Sequence, residues 1–184
     1  MSKPLVLTVI GSDHPGIVSL LSDVAKRYGA SWADSRMASL AGQFAGIVHL
    51  EVPDQNAEAL ANALRELVSS GLHVAIAIGD ASAGSGTHRI VRLELTGNDR
   101  PGIVRDLSGR LAGRGVSIEE LFTEVVSAAM SADPLFRVKA RLAVPEALSD
   151  AELKRELEAL ATEMMVDFEF EGRTGGAGAA PSAG

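Results

Sequence analysis

The 184-residue chain has no cysteine, one tryptophan and one tyrosine, and only 4% of its residues are aromatic. Without cysteine it has neither disulfides nor a thiolate metal site, and at this length it can bury a core without covalent staples. It has no positive excess either. Seventeen bases against 24 acids give a formal charge of −7, and both halves are acidic: five against eight through Gly86, twelve against sixteen after it. No field draws in a phosphate backbone, so direct nucleic-acid binding is disfavoured. Long apolar runs are missing as well. The stretch Pro4 to Ile10 after Lys3 is at the short limit for a secretory leader, and Gly11-Ser12-Asp13 interrupt it. A cytoplasmic protein without a membrane span is expected. What remains is ordinary globular composition, 46% apolar and 22% charged.

An internal repeat organises the chain. Gly11-Ser-Asp-His-Pro-Gly-Ile-Val18 returns 86 residues later as Gly97-Asn-Asp-Arg-Pro-Gly-Ile-Val104, with six of eight positions identical. At the same offset Leu5, Leu7 and Val9 fall on Val91, Leu93 and Leu95, the alternation of a strand leading into each motif. After Pro15 the period turns helical, with Ile17, Leu21, Val24 and Tyr28 on one stripe. Ile103, Leu107 and Leu111 match it in part, and Gly29 and Gly115 stop the two helices. Strands are predicted over 31–40, 43–52, 117–126 and 135–144, then helices on the Leu60-Leu64-Leu67 and Leu153-Leu157-Leu160 stripes, then strands over 72–78 and 165–170. The order strand, helix, strand, strand, helix, strand, twice over, is the α+β ferredoxin-like split βαβ arrangement. Domains are expected over 1–79 and 88–171, joined by a flexible small-residue linker over 80–87 and followed by a disordered tail over 172–184.

In each motif Asp13 or His14, and Asp99 or Arg100, can cap the following helix. Pro15 and Pro101 suit its first turn, and Gly16 and Gly102 admit close approach of a backbone or ligand. Amides left free at a helix start can hold the carboxylate of a small zwitterion, whose ammonium would need Asp13, Asp99 or a carbonyl as acceptor. The same residues are ordinary capping chemistry, and the spacing alone favours capping over ligand binding.

The two Gly-x-Asp-x-Pro-Gly-Ile-Val loops, the element order, and Asp34-Ser-Arg-Met-Ala-Ser-Leu-Ala-Gly-Gln-Phe44 together resemble tandem ACT domains. More narrowly, they resemble the glycine cleavage system transcriptional repressor family, over almost the whole chain to about Glu171. The resemblance implies a regulator without catalytic or DNA-binding machinery, which contacts a transcription activator and responds to glycine. It implies effector sites at Asp13, His14, Pro15, Gly16, Ile17 and Val18 and at Asp99, Arg100, Pro101, Gly102, Ile103 and Val104, beside an interface between ACT domains. Where ACT domains often carry Asn on the second strand, this chain has Ser31 and Ser117, with a shorter hydroxyl.

Strand alternation adds a prediction of its own. In the second half Arg92, Glu94, Arg137, Lys139, Arg141, Asp167, Glu169 and Glu171 make a charged outer face, which water can cover. The same parity in the first half gives Val6, Thr8, Ile10, Ala45, Ile47, His49, His73, Ala75 and Ala77, too apolar to stand exposed. Two sheets packed on each other within the chain would both be apolar. A homodimer is therefore expected through Val6, Thr8, Ile10, Ala45, Ile47, Ala75 and Ala77, unless the linker, the tail or residues 128–132 cover them.

Other chemistry is weakly signalled, and neither a cofactor nor a metal is expected. His14, His49, His73 and His88 lack zinc spacing. Asp34 and Arg36 read as a local ion pair, Glu119, Glu120 and Glu124 as a solvated edge, and Trp32 and Phe44 as packing residues. Ser12 and Ser35 have no nucleophile-elbow context. An amino-acid-responsive regulator, a ligand-independent adaptor and a detached sensory subunit of an enzyme are the three function classes left.

Overall fold

The computed structural model describes residues 1–78, 87–127 and 134–171. The expected linker and tail, and the 128–132 segment, lie outside the described residues apart from Thr87. The chain divides into two compact units, Met1–Gly84 and Ser85–Gly184. The first holds β1 (Ser2–Ser12), α1 (Ile17–Arg27), β2 (Ser31–Leu40), β3 (Gln43–Pro53), α2 (Ala57–Arg65) and β4 (Leu72–Ile78), with short 3-10 turns on either side of α2. The second repeats the order as β5 (His88–Asn98), α3 (Ile103–Ala112), β6 (Ser117–Ser127), β7 (Pro134–Pro145), α4 (Asp150–Met164) and β8 (Val166–Glu171).

Each unit is a four-stranded antiparallel sheet, ordered β2-β3-β1-β4 in the first and β6-β7-β5-β8 in the second. This is the ferredoxin-like α+β topology that the repeat predicts. Alternation sends Leu5, Leu7, Val9, Val48, Leu50 and Val52 to one side of the first sheet, where they bury against Leu21, Leu60 and Leu64 of the helices. Val91, Leu93, Leu95, Val138 and Leu142 do the same beneath Leu107, Leu153 and Leu157. Stripe and strand parity thus meet in one core per unit. The halves even share a bulge at corresponding places, between Trp32 and Asp34 and between Ile118 and Glu120.

Helix ends follow the glycines at one end and depart from expectation at the other. Past α1, Ala30 donates to the carbonyl of Ala25 and Gly29 to that of Lys26. Past α3, Val116 donates to Leu111 and Gly115 to Ala112. Both are Schellman closures on a glycine of positive φ, 68° at Gly29 and 70° at Gly115. The starts differ from the capping predicted for Asp13 and His14. The N-caps are Gly16 and Gly102, at φ 100° and 99°, with no side-chain cap at either. A third small difference is at Met165, expected in the last strand. It takes a left-handed conformation (φ 54°) and closes α4, so β8 starts at Val166.

Among the described helices α4 alone carries a capping box. The Ser149 hydroxyl accepts from the Glu152 N–H at 3.3 Å, and the Ser149 N–H donates to the Glu152 carboxylate at 3.0 Å. Hydrogen bonds from the Ser149 hydroxyl and then its N–H hold the Glu152 carboxyl below the usual carboxylate range. The box is therefore intact at neutral pH and loosens as pH falls through that lowered value. Ser149→Ala should cost about 1 kcal/mol, read as a lower urea midpoint at unchanged slope.

Candidate functional site

The motif loops sit where β1 meets α1 and β5 meets α3. In the first unit the tip of the β2–β3 hairpin clasps the loop. The Asp13 N–H donates to the Gly42 carbonyl at 2.9 Å, and the Ser39 hydroxyl donates to the Asp13 carboxylate at 2.6 Å. Asp13 is thereby turned toward the hairpin rather than toward the helix. His14 Nδ1 lies 3.2 Å from the Pro15 carbonyl, and both residues are exposed. The first helical bond runs from the Leu20 N–H to the Gly16 carbonyl, so the amides of Ile17, Val18 and Ser19 precede the ladder. Ile17 points into the core and is 2% exposed, whereas Val18 is 47% exposed beside the loop. A methyl group added at Gly16 would meet nothing within 4 Å.

The second loop has the same backbone and a different mouth. Asp99 donates to the Pro134 carbonyl at 3.2 Å, and Asp106 donates to the carbonyl of Gly102 as Leu20 does to that of Gly16. Leu20 in the first unit corresponds to Asp106 in the second, and His14 to Arg100. Arg100 and Asp106 form an ion pair at 3.4 Å. A methyl at Gly102 would lie 3.7 Å from the Asp106 carboxylate and 4.0 Å from the Arg100 guanidinium. An internal carboxylate therefore stands at this helix start, held by an internal cation, where the first loop stands open. Ile103 is buried and Val104 partly exposed, matching Ile17 and Val18.

Ser31 and Ser117 are at the far ends of their strands. Ser31 pairs with Glu51, which pairs with Pro4, while the loop follows Ser12. Eight strand residues separate those two rows, roughly 27 Å. Ser117, opposite Ala143 and so level with Ile90, is as far from the loop after Asn98. Within either unit the strand serine and the loop are thus apart. Ser39 and Gly42, which hydrogen-bond to the first loop, lie in the Asp34 to Phe44 segment that carries the resemblance but are not among the expected site residues. Antiparallel pairing was the available signal, since a hairpin turn must come back beside the end of β1.

The motif's leading glycines have a packing role. A methyl at Gly11 would lie 2.6 Å from the Gly71 carbonyl oxygen, and one at Gly97 would lie 2.3 Å from Cγ1 of Val166. Each lets the central strand draw against the start of the last strand, just before the loop.

Elsewhere, Arg36 donates to Asp34 at 2.7 Å. That bond and the Ser35 N–H hold the Asp34 carboxyl below its usual range. Glu119 pairs with Arg141 at 2.7 Å and Glu124 with Arg137 at 3.1 Å, so the expected acidic edge is ion-paired. Phe44 is buried and Trp32 packs at the core's margin. His49 Nε2 is screened from solvent and lies 3.2 Å from the Glu51 carboxylate, without a hydrogen bond. Among the described residues no cluster of three metal-ligating side chains occurs, and no helix is long and apolar enough to cross a membrane.

Comparison with known proteins gives a consistent family. The ACT-domain sequence pattern matches residues 3–76 and again 89–171. A crystal structure of an unknown protein from Galdieria sulphuraria is 31% identical, with a TM-score of 0.81 over 93% of this chain and 98% of that one. A candidate glycine cleavage system transcriptional repressor is 19% identical and shares the fold, with a TM-score of 0.70 over 93% of this chain and 97% of that one. No curated protein matches the sequence.

Proposed function

The chain belongs to the ACT-domain family, and from that premise we propose that it is a regulatory protein responsive to a small amino acid, glycine, which modulates a transcription activator by protein–protein contact. It acts in the cytoplasm as a homodimer, without catalysis and without touching nucleic acid itself. The domains are residues 1–79 and 88–171, and the effector site is the loop Asp13 to Val18. The observation that carries the reading is the first helix start. Gly16 caps α1 with no side-chain hydrogen bond to its first amides, and a methyl at Gly16 would meet nothing within 4 Å. Those amides and the helix dipole suit a carboxylate. A ligand as small as glycine needs little more than that carboxylate and a carbonyl or carboxylate for its ammonium. Asp99 to Val104 is the weaker site, because the Asp106 carboxylate and Arg100 already stand beside Gly102. Effector binding would favour one of two packings of ACT domains and so change the surface offered to the activator.

A thermal-shift panel of the common amino acids tests this. At a hundredfold excess over its dissociation constant, glycine should stabilise the chain by about 2.7 kcal/mol, a rise in melting temperature of roughly 10 °C for a domain of this size. The rise should grow with the logarithm of concentration. A melt that no amino acid moves would leave the adaptor reading in its place.

A further inference from the structure

The two sheets have equivalent outer faces of unlike chemistry. On the second, Glu94 pairs with Lys139 at 3.3 Å, Glu124 with Arg137 and Glu119 with Arg141, charges bridging neighbouring strands in contact with water. On the first, the outward positions of β1 and β4 bear no Lys, Arg, Asp or Glu from Val6 to Ile10 and from His73 to Ala77. Ile47 is 53% exposed there and Ile10 50% exposed. The charges of this face are set at its margin. Asp34 and Arg36 pair with each other on the edge strand β2, and Glu51 lies beside His49 toward the end of β3. An apolar centre with a charged rim is the anatomy of a protein interface.

We infer that this face receives a second copy of the same chain, about a two-fold axis running along β1. The inference deepens the homodimer of the proposed function and rests on that part of it. Strand registration carries the argument. Three rows cross the sheet: Ala45, Ile10, His73; Ile47, Thr8, Ala75; and His49, Val6, Ala77. An axis along β1 lays β3 of each copy over β4 of the other at the same level. In every row a large side chain of β3 or β4 then meets a small one, Ala45 against His73, Ile47 against Ala75, His49 against Ala77, while Ile10, Thr8 and Val6 each meet their own copy on the axis. The charged strand β2 is left overhanging beyond β4, so Asp34 and Arg36 stay in water. An axis across the strands would stack β3 on β3 and β2 on β2, and would carry Asp34 and Arg36 inward.

Size fits as well. With β2 overhanging, the strands that overlap are β1, β3 and β4, of 11, 11 and 7 residues. At about 3.4 Å along and about 4.8 Å across for each residue, they project to roughly 470 Å². Side-chain relief brings the accessible area toward roughly 600 Å² per partner, the lower end of the range for stable interfaces. Apolar meeting apolar makes the contact self-complementary, as a two-fold requires.

The test is molecular mass in solution, by light scattering on the full chain. Wild type should give twice 19.1 kDa. Ile47→Glu and Ala75→Lys should each give the single mass with an unchanged far-ultraviolet spectrum. An equal mixture of the two variants should pair again, because this axis brings the new acid of one over the new base of the other. A monomeric wild type, a folded variant that remains paired, or a mixture that stays monomeric overturns the inference. Should either variant misfold, Thr8→Cys decides. The chain has no cysteine of its own, and position 8 lies on the axis, so a bismaleimide spanning about 10 Å, the spacing of stacked sheets, should join two copies there. Absence of that product is the overturning result. A monomer whose melt still rises with glycine removes this inference alone, whereas a paired chain deaf to every amino acid removes only the effector reading.

Discussion

Gly16→Leu should yield a folded chain whose melting temperature no longer responds to glycine. Two terms decide this, and they are separable. The first is backbone strain, since Gly16 has φ 100° and a side chain there costs about 1–2 kcal/mol. Nothing within 4 Å opposes an added methyl, so no clash joins that cost and the fold survives. The second is occupancy. The leucine side chain stands in the open space before the amides of Ile17 to Ser19, and the whole ligand-linked gain, about 2.7 kcal/mol at hundredfold excess, should vanish. Gly29→Leu is the control, a second left-handed glycine of the same helix. It carries a milder strain at φ 68°, inside the left-handed region, at the opposite end of α1, and should keep the response. If both variants still respond to glycine, the effector is bound elsewhere. If Gly16→Leu unfolds and Gly29→Leu does not, the loop is a turn before it is a site.

Gly97→Ala should be the more damaging change, although its side chain is smaller. A methyl there falls 2.3 Å from Cγ1, 2.9 Å from Cβ and 3.2 Å from Cα of Val166, the residue with which Gly97 pairs in the sheet. A valine is stiff about its first torsion and cannot swing aside, so β8 must move from β5. Overpacking of this kind costs about 3 kcal/mol, at the upper end of its usual range. Urea unfolding would report it, with amide-exchange protection falling across β5 and β8. Adding Val166→Ala removes Cγ1 and should return part of the loss. An undisturbed Gly97→Ala would mean that the two strands are free to part here, and that the motif's first glycine is not a packing residue.

How much of this could be read from the sequence divides along physical lines. The doubled order of elements is legible because a local period and an 86-residue repeat agree on it, and each strand's parity follows from alternation alone. The charged face of the second sheet and the apolar face of the first were legible for the same reason. What eluded the sequence depends on contacts made after folding. Asp13 is as good a capping residue as any in isolation, yet the β2–β3 turn arrives beside it and Ser39 takes its carboxylate. Ser31 and Asp13 are both polar residues near strand ends, and only the antiparallel register shows that they occupy opposite ends of one sheet. The difference between the two loops comes from Asp106 answering Arg100 six residues away, a spacing with no local rule to announce it.

The ionic lattice over the second sheet has a consequence for how large an assembly can grow. The internal repeat gives the chain two sheets of one topology, and if both outer faces were oily, each copy could recruit a neighbour through either and polymerise. With arginines, lysine and glutamates neutralising one another across β6, β7 and β5, one surface is content in water. In the pairing inferred above, adhesion is confined to the other surface, so growth would terminate at a closed pair rather than a fibre.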